Sequence, residues 1–104
     1  AALPDESAPK VQVLKELELV TVTPTIRAER GIRSTKGALI YDVSPRVSDD
    51  LGIAKGDVIV QINRVSIDNA QDVAKALNAF AGRGVIHMYF ERGGQIYSTD
   101  FMVR

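Results

Sequence analysis

Apolar and polar positions alternate along most of this chain with a period near two, and one stretch runs with a period near 3.6. From Val11 to Val22 the segment VQVLKELELVTV is β-branched and roughly alternating until the adjacent Leu19 and Val20 break the pattern, which predicts two strands joined at a bulge or bend. Thr23 before Pro24 is a helix-opening pair, and the short helix it starts is expected to stop at Gly31. ALIYDV (Ala38 to Val43) reads as a strand ended by Ser44-Pro45, followed by a helical turn around Val47 to Leu51. Gly52 and a Lys55-Gly56-Asp57 turn lead into a strand over Asp57 to Ile62, and Asn63-Arg64 forms a tight turn. The strongest helical period covers Asn69 to Phe80, with Asp68 or Asn69 as N-cap, Gln71 at the capping-box position, and Gly82 and Gly84 ending it. VIHMYFER and QIYSTDFMV flank Gly93-Gly94, a hairpin signal.

These elements describe an α+β domain: a small, partly open β-barrel or sandwich of five or six strands, capped by one long and one or two short helices. The opening residues 1–10, with Pro4, Pro9 and Ser7, have no period and read as a linker, leaving 11–104 as the domain. At 104 residues the chain has room for one core, and its 45% apolar and 25% charged composition is that of a folded protein.

Charge and chemistry narrow the function. Thirteen basic residues balance thirteen acidic ones, so the electrostatic drive behind nucleic-acid binding is missing. No apolar run approaches the roughly 18 to 20 residues of a membrane helix. With no cysteine and one histidine, neither a disulfide nor a zinc site is expected, and no cofactor is called for. Ser, His and Asp all occur, yet there is no Gly-x-Ser-x-Gly elbow, and His87 sits inside a strand, so no catalytic residue is assigned. Gly93-Gly94 and Gly82-Arg83-Gly84 lack the setting of a phosphate loop, and Asp49-Asp50 reads as a solvated or capping pair.

The long helix is apolar over a stripe roughly 160° wide. Val73, Ala76 and Phe80 carry the bulk and are expected to pack on the sheet. Ala70, Ala74, Leu77 and Ala81 lie beside them, and such small side chains fit either a good helix former's half-buried face or a shallow trough for an added β-strand.

From Gly37 to Val103 the sequence resembles PDZ domains, most closely the bacterial, circularly permuted kind at the C-terminal end of HtrA/Deg-type trypsin-like serine proteases. The resemblance rests on Gly37-Ala38-Leu39-Ile40, Val43-Ser44-Pro45, Leu51-Gly52-Ile53, Lys55-Gly56-Asp57-Val58-Ile59, Ile62-Asn63, the helix with Ala76-Leu77, and Arg92-Gly93-Gly94-Gln95. It implies a peptide groove between the long helix and a strand near the N-terminus. A carboxylate-binding loop and strand would fall at Leu17, Glu18, Leu19, Val20, Thr21 and Val22, lined on the helix by Ala70, Ala74 and Leu77.

The implied partner is a peptide C-terminus or an extended strand, and the implied setting is protein quality control by a periplasmic or envelope protease to which this non-catalytic domain is attached. An architectural domain without free-peptide binding, or the same domain in a secretion-machinery subunit or another envelope protease, is the alternative. The sequence departs from the family at Glu18, where the loop usually has glycine, and at Arg64. Glutamate aims backbone N–H groups at an anion poorly and repels it, which disfavours carboxylate capture, leaves the groove able to accept an internal strand, and favours the architectural alternative.

Overall fold

The computed structural model describes residues 10–13 and 16–102, with the backbone alone at Lys10 and Val13. In chain order the elements are β1 (Lys10–Val13), β2 (Leu17–Thr21), α1 (Pro24–Arg30), β3 (Ala38–Val43), α2 (Pro45–Leu51), β4 (Val58–Ile62), β5 (Val65–Ser66), α3 (Ala70–Phe80), β6 (Ile86–Arg92) and β7 (Gln95–Phe101). The strands form one seven-stranded antiparallel sheet in the order β1-β2-β3-β4-β6-β7, with β5 paired to β4 off that path. The α+β class holds, with the two-residue β5 and the separate β1 bringing the strands to seven rather than five or six.

Local chemistry explains the helices. Thr23 and Ser44 each precede a proline, and their hydroxyl oxygens accept from the N–H groups of Ile26 and Val47 at 3.2 Å. Each proline fills a first helical position whose N–H has no partner within the helix, and the helices end at Gly31 and Gly52. Asn69 caps α3, accepting from the Asp72 N–H at 2.9 Å, while the Asp72 carboxylate reaches back to the Asp68 N–H at 3.0 Å. The reciprocal partner is therefore Asp72, three residues past the cap, and not Gln71.

The sheet buries both faces at its centre. A larger apolar cluster joins Leu17, Leu19, Ile40, Ile59 and Ile62 to α2 and α3, and a smaller one gathers Val20, Val22, Leu39 and Val58 under Ile26 of α1. Neighbouring residues of one strand thus enter opposite clusters, which is why Leu19 and Val20 are both apolar. The expected bend at that pair is not there. β1 is described to Val13 and β2 starts at Leu17, and the bulge-like register shift in β2 lies one step before the expected pair, between Glu18 and Leu19.

Two details fix the frame. Gly37, at φ 140°, enters β3 where a Cβ would stand 2.7 Å from the Ile59 carbonyl oxygen, so only glycine fits against β4. Gly93 and Gly94, both with positive φ, close the β6–β7 hairpin. Residues 1–9, most of the expected linker, lie outside the described residues, and Lys10 already belongs to β1. No helix among the described residues is long and apolar enough to cross a membrane.

Candidate peptide-binding face

The face singled out by sequence is where α3 crosses the N-terminal end of the sheet. Leu17, Leu19, Ala70 and Leu77 all join the larger cluster and are at most 2% exposed. Ala74 is half-buried against the same cluster. Val20 and Val22 enter the smaller cluster on the opposite face of the sheet. Thr21 is half-buried, and its hydroxyl oxygen accepts from the Ala70 N–H at 2.9 Å, tying the first turn of α3 to the end of β2. That bond satisfies a helix N-terminal donor that has no partner inside the helix.

On α3 the division expected between a packed side and a trough side is blurred. Val73 and Ala76 are buried as expected, but Phe80 is only half-buried, while Ala70 and Leu77 of the alanine side are buried as deeply as Val73. The reason is β1. It lies antiparallel to β2 with Lys10, Val11, Gln12 and Val13 opposite Val20, Leu19, Glu18 and Leu17. The long helix packs over β1 and β2, and Val11 sits half-buried against the cluster. The other margin of β2 is taken by β3, so β2 is paired on both sides.

Leu17, Glu18 and Leu19, expected to begin as a loop, lie within a strand. Glu16, in a turn, directly precedes them, and Leu14 and Lys15 lie outside the described residues. Glu18 is half-buried on the outer face, opposite Gln12 on β1 and Asp42 on β3. Two carboxylates directly across a ladder repel one another. An open concavity of about 390 Å³ lies over this row, lined by Gln12, Glu16, Glu18, Asp42 and the segment 43–45. Glu16 is already engaged: the Arg46 guanidinium hydrogen-bonded to it holds its carboxyl below the usual carboxylate range.

Away from this face lie two carboxylates that sequence reasoning missed. Glu91 is 4% exposed and accepts from the N–H groups of Arg33 and Ser34 at 2.8 and 2.7 Å and from the Ser34 hydroxyl at 2.5 Å. Burial works against its charge, but these bonds and the nearby Arg33 charge outweigh it, so its carboxyl stays below the ordinary range. Asp57 is 3% exposed and receives the Arg92 guanidinium through two bonds, at 2.9 and 2.6 Å, and the Ala54 N–H at 2.8 Å. Both staple loops to the sheet. His87 stands on the outer face of β6 opposite Asp100, with 2.6 Å between Nδ1 and the carboxylate, and both side chains are more than half exposed.

This arrangement of strands, capped short helices and one long helix beside β1 and β2 agrees with what comparison with known proteins finds. The PDZ domain family model matches residues 11–90, and the chain belongs to that family. Over 61 residues, 59% of the chain, it is 34% identical to a protein described as a probable periplasmic serine endoprotease DegP-like from Bartonella henselae, and the match spans 12% of that relative's length. The fold is similar to that of the HtrA3 PDZ domain bound to a phage-derived ligand, FGRWV, with a TM-score of 0.71, 19% identity, 90% of this chain covered and 84% of that one.

Proposed function

We propose that this domain is the peptide-recognition module of an HtrA-like serine protease of the bacterial periplasm or envelope, itself non-catalytic, taking an extended peptide strand alongside β2 beneath α3. The observation that carries the reading is the seat itself: the margin of β2 opposite β3 holds an antiparallel strand, the chain's own Lys10–Val13, with the long helix packed over both strands. Main-chain ladder bonds supply affinity in such a seat, and alternate side chains supply specificity. The DegP-like relative and the peptide-bound HtrA3 domain support the same reading of parent and ligand. Glu18 and the acidic row around it favour an internal strand over a free C-terminal carboxylate.

The test is an NMR titration of the whole chain with FGRWV carrying a free or an amidated C-terminus. Amide shifts are expected at Leu17 to Val22 and Ala70 to Leu77, with a Kd on the order of micromolar or weaker, about −8 kcal/mol or less favourable, and no preference for the free carboxylate. Absence of shifts from both segments would remove the groove. The occupied margin of β2 favours a second reading, an architectural domain whose slot is permanently filled by its own chain.

A further inference from the structure

The geometry points to β1 as a tethered stand-in for the ligand: Lys10–Val13 holds the strand slot of β2 from within the chain, and the segment that displaces it carries a basic residue where β1 has Gln12. This rests on the peptide-recognition reading and adds the regulation and ligand class of the same site.

Three observations converge on it. First, β1 is only four residues long and ends the strand order, so its place in the sheet depends on β2 alone for ladder bonds. Second, it runs antiparallel to β2 on the margin over which α3 packs, where an added strand would make the same main-chain bonds, and Val11, opposite Leu19, packs half-buried against the cluster that holds Leu17, Leu19, Ala70 and Leu77. A strand of another chain and β1 therefore cannot occupy β2 together. Third, the outer face carries a selectivity element: Gln12, Glu18 and Asp42 stand in one cross-strand row, and the two carboxylates are direct neighbours across β2 and β3. Among the described residues Glu16 beside them is paired with Arg46, and the Glu18–Asp42 pair shares its row with the side chain at the Gln12 position. A lysine or arginine there would bring a positive charge to the two carboxylates where glutamine brings none, and a glutamate would add to their repulsion.

In such an exchange the apparent affinity is the intrinsic one scaled by the fraction of molecules with β1 out of its seat. Anything that pins β1 weakens binding, and anything that loosens it strengthens binding.

The chain has no cysteine, so the pair Gln12→Cys and Glu18→Cys, directly opposite in register, gives one unambiguous crosslink within the full chain. The probe is a synthetic copy of the chain's own residues 9–14, PKVQVL, blocked at both ends, with PKVKVL and PKVEVL for the charge comparison on the native chain. The oxidised protein is expected to bind PKVQVL at least about tenfold more weakly than the same protein reduced, and Val11→Asp to bind it more tightly than the native chain. PKVKVL is expected to bind the native chain more tightly than PKVEVL, with the difference shrinking in high salt. Equal binding by oxidised and reduced protein would overturn the stand-in while leaving peptide recognition intact. Equal binding of the lysine and glutamate peptides would overturn the basic preference. Binding of PKVQVL by neither the reduced protein nor Val11→Asp would overturn the stand-in, and peptide recognition itself falls with it only if FGRWV also leaves the amides of both segments unshifted.

Discussion

Replacing Leu77 by alanine separates a groove wall from a core residue. On an open trough Leu77 would already face water, and its truncation would change stability by no more than about 0.5 kcal/mol. Instead Leu77 is 2% exposed and belongs to the cluster with Leu17 and Leu19, against which Val11 of β1 also packs. Leu→Ala at such a site costs about 2 to 5 kcal/mol, the spread depending on how far the surroundings collapse into the space left behind. Here one neighbour is a four-residue strand at the margin of the sheet, which can move inward more easily than a central strand, so the cost should fall in the lower half, about 2 to 3 kcal/mol. For a domain of this size that lowers the melting temperature by roughly 10 to 20 °C. Guanidinium unfolding should show the midpoint falling with the slope unchanged, the mark of lost stability without a changed denatured state. A loss below about 0.5 kcal/mol would refute the packing described for this face, because it would mean that the side chain stands in an open slot.

Other positions probe the frame that carries the site. Glu91→Gln should cost about 1 to 3 kcal/mol near neutral pH, by turning charge-assisted bonds into neutral ones. Because the folded carboxyl lies below its ordinary range, its contribution is complete above that range and is lost as pH falls through the lowered value, so the gap between native and variant should close in acid. Urea titrations across pH check this, and a gap independent of pH would contradict it. Gly37→Ala should destabilise by at least about 2 kcal/mol, since the backbone conformation suits glycine and the added carbon meets the Ile59 carbonyl. A thermal melt within a degree or two of the native one would contradict the close approach of β3 to β4.

The parts of this fold governed by neighbours in sequence were legible without coordinates. The cap-then-proline starts at Thr23 and Ser44, the glycine stops, the long helix from Ala70 and the Gly93-Gly94 hairpin all depend on bonds a few residues apart. What depends on distant partners was not. Leu19-Val20 looked like a broken alternation because a strand buried on both faces loses its period, and only α1 covering the second face explains it. Glu91 alternates with His87 and Tyr89 on β6, which reads as a solvent side in sequence, and nothing in its own segment announces that the loop at 33–34, more than fifty residues away, covers it and needs its oxygens. The candidate face was legible as a set of residues, since Leu17, Leu19, Ala70 and Leu77 do meet in one cluster. Its occupant was not, because KVQV pairing with its neighbour LELV is a choice between partners that alternation alone cannot make.

Native-state hydrogen exchange of the whole chain, followed amide by amide in low denaturant, tests most directly whether β2 offers a seat that another strand can take. The ladder amides of β1, and those of β2 that face it, should share one opening of low free energy and weak denaturant dependence, while the β2 amides bonded to β3 exchange only with global unfolding. If both sets exchange with the same free energy and the same steep denaturant dependence, β1 is an inseparable part of the core and no strand from outside can replace it.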